Sequence, residues 1–344
     1  MPTFSTSQLE TLSTKIFAGV GAPPDIAQHV AKSLIQSNLM GHDSHGILRI
    51  PSYLEAIDHG TCVPNARPSV GNETPTTAQV DGNWAFGQIT ATFATKLAIE
   101  KARTAMVSAV TVVRCNHIGR LGEYTELAAR EGMVAFMAGG TFNGAAVAPF
   151  GGASRVLGTN PLAMAIPGTV EGPVVADMAT SVVAEGKLRV ARAKHQTIAP
   201  GTILDKNGKP STDANDYYEG GTLLTFGAHK GYVLSVIVDL LGRALTDGQK
   251  AATNGVSFGN FLFVVNVEAF RPLAEFQAEV AERLHEIKSA KPAPGFSEVM
   301  VPGEPERRMK AKRSEEGVVL ADDTVTALKQ VADRFNVAMP TPMA

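Results

Sequence analysis

GVGAPP, residues 19–24, decides which nucleotide-binding fold this chain cannot have. A Rossmann unit sets GxGxxG between a strand and a helix. Two of its glycines permit the tight turn and the approach to a pyrophosphate, and the third lets helix and strand pack. The third place here is Pro24, and no other GxGxxG occurs in the chain. GxxxxGK[ST] is missing too. The prolines do something else. Proline is pre-set for the first turn of a helix, and Ile26, Val30 and Leu34 follow at i, i+4 and i+8. The spacing predicts a helix to about Met40, stopped by Gly41, after a first helix capped by Ser5 or Thr6 and running through Ile16.

Past that stop comes GHDSHGILRI, residues 41–50, with a further helix expected through Tyr53 to His59 and Pro51 in its first turn. The stretch has three readings. His42, Asp43 and His45 could ligate a metal, although two histidines are too few for a closed zinc site. Asp43 or Ser44 could simply cap the next segment, leaving both imidazoles in water. Or His45 and Arg49, four apart and on one face if the segment is helical, supply a proton and a bidentate carboxylate anchor.

The bulk numbers narrow the classes. A chain of 344 residues predicts about two domains. With 31 basic and 33 acidic residues it lacks the footprint of a nucleic-acid protein. The basic run RRMKAKR, Arg307–Arg313, reads as a solvated face. Cys62 and Cys115 make no framework and suit a reducing cytoplasm. The first residues show no secretory pattern, and no window approaches the ~18 apolar residues of a membrane span.

Along the rest of the chain, Ile89, Phe93 and Leu97 predict one apolar helix face. AVTVVR (109–114), VAFMAG (134–139), LAMAIP (162–167) and PVVAD (173–177) read as buried strands. Leu273, Phe276, Val280, Leu284 and Ile287 step as an amphipathic helix, and another begins near Asp322. Residues 198–221 read as a long polar loop, a flap or a subunit contact. Three further places carry chemistry. His117 in CNHIGRLGEY comes after a strand, where α/β sites gather residues. ADMATS (176–181) precedes an apparent helix from Val182, which could receive phosphate or ribose hydroxyls or could merely be capped by Asp177 and Thr180. In FGAHKGYVLSVIVDLL (226–241), Lys230 is a candidate anion contact before a very apolar helix.

These pieces occur in an order that resembles the malate/L-lactate dehydrogenase family. That family is distinct from the Rossmann lactate dehydrogenases, and it includes sulfolactate, ureidoglycolate and diketogulonate oxidoreductases and cyclic imine reductases. The resemblance runs through SNLMGHDSHGILRIPSY, NHIGRLGEY, APFGGASRVLGTNPLAMAIP, VVADMATSVVAEGK, FGAHKGY and VPGEPE. It implies an α+β fold with a mixed, largely antiparallel sheet, which binds NAD or NADP without a Rossmann unit, and a homodimer. It implies His45 as proton donor, or His117 instead as in some members, and Arg49 beside Ser44 as the substrate anchor. It places cofactor contacts on Asn143, Asp177, Met178, Ala179, His229, Lys230, Gly303, Glu304 and Pro305, and no metal. We expect a helical domain from residues 1–63 with 300–344, and an α+β region over 64–299 holding the cofactor domain at about 118–290. Three departures touch the pocket: Phe142 and Asn143 where small serines are common, AHKGYV for GHKGYG, and a short segment before VNVEAF.

The expected activity is reversible hydride transfer at C2 of a small 2-oxo or 2-hydroxy acid. A cyclic ketimine acid such as pyrroline-2-carboxylate is the rival substrate. A metal-dependent hydrolase on His42, Asp43 and His45 and a dimeric binding protein without catalysis are the rival classes. A small carboxylate is the expected partner, with neither nucleic acid nor membrane.

Overall fold

The computed structural model describes residues 1–193, 195–246 and 256–343; most of the short segment before VNVEAF lies outside them. Strand β1 (Thr3–Phe4) leads into α1 (Thr6–Gly19) and α2 (Pro24–Leu39). Ser5 caps α1 in a reciprocal box with Gln8, and Pro24 opens α2 as its place predicts. Two 3-10 turns, Asp43–His45 and Ile47–Arg49, run into α3 (Ile50–Asp58). Then come β2 (Ser69–Glu73), β3 (Thr77–Asp81), α4 (Gly87–Ala105), β4 (Val107–Cys115), α5 (Gly122–Arg130), β5 (Met133–Phe142), β6 (Leu162–Thr169) and β7 (Gly172–Met178). Next are α6 (Glu185–Ala193), β8 (Ile203–Leu204), β9 (Pro210–Ser211), α7 (Ala214–Tyr218), β10 (Thr222–Leu223), α8 (His229–Asp239) and β11 (Ser257–Asn266). The chain ends with α9 (Leu273–Lys288), α10 (Glu304–Glu316), β12 (Val318–Val319) and α11 (Asp322–Arg334).

Among the described residues the main sheet has seven strands in the order β2-β3-β4-β11-β5-β6-β7. Only the β3–β4 pair is parallel, joined through α4. The sheet is therefore mixed and largely antiparallel. Both chain ends build one apolar cluster: Phe4, Leu9, Ile16, Phe17 and Leu34 pack with Val318, Leu320 and Leu328. The sheet with α4 and α5 makes a second.

Several local expectations change. The buried face of α4 is Ala91, Ala94, Ala98 and Ala102, not Ile89, Phe93 and Leu97, because small side chains let the helix sit close on the sheet. No residue of α9 is fully buried, so its apolar stripe is only half covered. Residues 198–221 are no bare loop. β8, β9 and β10 form a small sheet around Leu188, Ile203, Tyr217 and Leu223. The apparent helix from Val182 begins at Glu185. The basic run is partly docked rather than solvated: Arg307 donates to the Pro173 carbonyl at 3.0 Å, and Arg313 reaches the loop after α2.

After α8 the helix widens into a π-turn, Leu240–Ala244. Gly242 there touches Gly140 of β5 and Gly259 of β11, and a Cβ on any of the three would meet backbone atoms.

Candidate active site

The loop after α2 is shaped by Asn38, whose side chain is buried. Its Nδ2 donates to Asp43 Oδ1 at 2.7 Å, and its Oδ1 accepts from the Ile47 amide at 2.8 Å. Gly46 lies so close that a Cβ there would overlap the Asn38 carboxamide. Arg313 of α10 donates to Asp43 Oδ1 at 2.7 Å and Oδ2 at 3.0 Å, and also to the Asn38 carbonyl. Asp43 is thus an ion-pair clamp between the two ends of the chain. His42 faces Glu306 at 3.6 Å, while His45 stacks elsewhere. The three residues proposed as metal ligands diverge, which removes the geometric basis of the hydrolase reading.

His45 and Arg49 do not share a helix face, because extended Gly46 divides the segment into two 3-10 turns. They meet by another route. Arg49 folds back and its Nε donates to the Ser44 carbonyl at 2.6 Å. Its two terminal nitrogens have no partner among the described residues. Burial lowers its pKa, while Arg189 and Glu185 of α6 act on it in opposite directions. Helix α6 covers this end of the loop: a Cβ on Gly186 would come within 2.9 Å of Ser44 Cβ. A half-buried guanidinium with a free fork is a carboxylate receptor.

His117, just past β4, completes the centre. Its ring lies 5.5 Å from that of His45, nearly parallel at 19°. Ser44 Oγ is 2.9 Å from His45 Nδ1, and Tyr53 Oη is 2.8 Å from His117 Nδ1. Gln88, fully buried on α4, donates to Tyr53 Oη at 2.8 Å. Phe258 of β11 meets the His117 ring edge-on at 5.6 Å. Gly87 lets the start of α4 press against the Asn116 and His117 carbonyls, where a Cβ would clash. Burial pushes the His45 imidazole down to about 3, helped by the positive charge of Arg49. His117 is also held well below 6.5, again by burial first and Arg49 second. Both rings are neutral in the free protein at physiological pH.

The residues expected to hold a cofactor fall in several places. Asp177, at the end of β7, does cap a helix, but it is α5: its Oδ2 accepts from the Gly122 amide at 2.8 Å. Thr180 instead donates to the Thr159 and Asn160 carbonyls at 3.0 Å. Burial raises the Asp177 pKa against the pull of Arg120, 3.8 Å away. Asp177, Arg120, Gly303, Glu306 and Arg307 line one small cleft. Met178 is exposed beside it, followed by half-buried Ala179. Glu304 is engaged by its own chain, with Lys288 at 2.6 Å, Arg308 at 2.5 Å and the Val301 amide at 3.2 Å. These contacts hold its carboxyl down at about 2. Pro305 is exposed in the first turn of α10. Asn143 is exposed at the end of β5 in the left-handed region, φ +57°.

His229 and Lys230 are exposed at the start of α8, whose first amides have no capping side chain. That donor set fits the phosphates of a nicotinamide dinucleotide. Ala228 before it sits at φ +53°, ψ −120°, a conformation that favours glycine.

Tyr53, Gln88, Asn38, Arg120 and Phe258 were not legible as site residues. Tyr53 lies four residues beyond Arg49, and that spacing was the available signal. The others join only through tertiary contact.

A family described as malate/L-lactate dehydrogenase matches residues 4–329. The malate/(S)-sulfolactate dehydrogenase of Methanothermus fervidus is 35% identical over 343 residues, covering 97% of this chain and 98% of that protein. The crystal structure of malate dehydrogenase from Entamoeba histolytica superposes with a TM-score of 0.92 at 31% identity, over 98% of this chain and 99% of that one. The Δ1-piperideine-2-carboxylate reductase of Pseudomonas syringae superposes with a TM-score of 0.82 at 29% identity, over 96% of this chain and 100% of that one. Matched along nearly its whole length, the chain belongs to the malate/L-lactate dehydrogenase family and is an oxidoreductase of small hydroxy acids.

Proposed function

We propose that the protein interconverts a small 2-hydroxy acid and its 2-oxo acid with NAD or NADP. One observation carries this reading: Arg49 presents a free guanidinium fork beside two stacked, neutral imidazoles. When bound, the nicotinamide supplies or accepts the hydride at C2. Arg49 grips the substrate carboxylate, and the Ser44 carbonyl holds its Nε in place. His45 takes the hydroxyl proton in oxidation and returns it to the oxygen in reduction, and Ser44 Oγ steadies its other nitrogen. Bound carboxylate offsets the charge of Arg49, so the imidazole becomes more basic once substrate is present. Fixing two reactants in one geometry supplies much of the rate.

The cofactor reading draws on Asn143, Asp177, Met178, Ala179, His229, Lys230, Gly303, Glu304 and Pro305. Glu304 acts there through the α10 turn it anchors. The helical assembly of both chain ends serves as the substrate-side domain. We further propose a cytoplasmic homodimer, supported by the apolar side chains exposed on α8 and its π-turn: Val233, Leu234, Ile237 and Leu240.

The test is nicotinamide absorbance, with NADH and NADPH each offered against pyruvate, oxaloacetate and pyrroline-2-carboxylate. Turnover of an oxo acid is expected. Turnover of the imine alone would move the protein to the cyclic ketimine reductases, the reading that the Pseudomonas syringae neighbour favours.

A further inference from the structure

The hydrogen bonds around His117 determine which of its nitrogens carries the proton. The Gly119 amide lies 3.4 Å from Nδ1, and an amide N–H only donates, so Nδ1 faces it as an acceptor. Tyr53 Oη, 2.8 Å from the same nitrogen, then donates its single hydrogen. Having given that hydrogen away, Tyr53 accepts from Gln88 Nε2, 2.8 Å distant. The reverse orientation would turn an Nδ1–H toward the Gly119 N–H, two donors face to face. Gln88 keeps its amino group on Tyr53 although its buried Oε1 has no hydrogen-bond partner among the described residues.

We infer that Gln88, acting through Tyr53, fixes His117 as a neutral Nε2–H donor. His117 holds the C2 oxygen by a hydrogen bond and keeps its proton, and His45 is the group that moves one. Nε2 of His117 has no protein partner among the described residues, so its hydrogen is available to a ligand. A neutral imidazole N–H can polarise a carbonyl without being consumed. Protonating His117 would require Tyr53 and Gln88 to reverse together against Gly119. His45 has no such lock. Its Nδ1 meets Ser44 Oγ, and a hydroxyl either donates or accepts. Gln88 and Tyr53 are positioning residues here. The division of labour rests on the proposed function, whereas the proton position in the free protein does not.

Nitrogen-15 NMR of the histidine-labelled free protein is the direct test, with His117 assigned by its loss in His117→Gln. At neutral pH, Nδ1 is expected to show the shift of a bare nitrogen and Nε2 that of an N–H. The opposite pattern overturns the inference, whether or not any hydroxy acid is turned over. If the tautomer is as stated but no oxo acid reacts, the proposed function fails and the relay stands.

Two variants add a functional readout. An ionised carboxylate only accepts, so in Gln88→Glu the Tyr53 hydrogen turns away and His117 is driven to its Nδ1–H form. The kcat should fall about 10²-fold with KM little changed, and the loss should deepen as pH rises through the new carboxyl's pKa. In Gln88→Met the amide that orients the Tyr53 hydroxyl is lost but no acceptor replaces it, so kcat should fall about tenfold, less than in Gln88→Glu and with no added pH dependence. Equal losses in both variants at every pH, with the tautomer unmoved, would show that Gln88 merely packs.

Discussion

Arg49 and His45 do different work, and their variants should fail differently. Replacing Arg49 by Lys keeps the charge but loses the fork, so kcat/KM should drop about 10²-fold, chiefly through KM, as measured by initial rates. Replacing His45 by Ala should abolish turnover while cofactor binding, followed by fluorescence, survives; an unchanged rate would remove His45 from the chemistry. The pH profile carries a sharper signature. Oxidation needs His45 neutral, and in the free enzyme it stays neutral down to about 3. Substrate carboxylate on Arg49 raises that value. The acid limb of kcat should therefore lie at higher pH than the acid limb of kcat/KM, since the two report the complex and the free enzyme. Coincident limbs would mean that Arg49 and His45 are not coupled through the ligand. The same depressed values bear on stability. Histidines whose folded pKa lies below 6.5 contribute fully above that pH, and the contribution is lost as pH falls from 6.5 toward the folded value. Thermal melts from pH 7 to 5 should show a falling Tm, with a shallower slope in His45→Gln.

At the scale of elements, the start of α8 carries a local strain. Ala228 occupies a positive-φ conformation where glycine costs nothing sterically. Ala228→Gly should raise stability by roughly 0.5–1 kcal/mol in denaturant titration, the relief of strain exceeding the added chain entropy. A loss of stability would mean the turn is different in solution. The same scale explains what the sequence allowed to be read. β4 to β7 were legible because buried strands are short apolar runs between turn residues. The 3-10 turns were not. Spacing alone suggested a helix joining His45 to Arg49, whereas the break at Gly46 is imposed by Asn38, a buried amide from the preceding helix. Gln88 was equally silent, because a polar residue on a helix gives no sign of its burial or of a distant tyrosine. β11, which lies between β4 and β5, passed unread although FLFVV is an apolar run of the same kind.

For the whole molecule, the resemblance carried the mixed, largely antiparallel sheet in place of a Rossmann unit, and among the described residues that sheet is what the structure has. Assembly is tested on the exposed side of α8: Ile237→Asp should convert a dimer to monomer in light scattering, and a monomeric parent would remove the homodimer reading. The Asp43–Arg313 clamp has a further consequence, for the order in which the protein matures. A ribosome releases Asn38, Asp43 and His45 early, but Arg313 and the strand that pairs with β1 are made near the end. A nascent chain completes the sheet with β11, before its substrate loop has anything to close against. The last part of the chain thus acts as a licence, and a polypeptide stalled before α10 should be folded in its middle and inert at its centre.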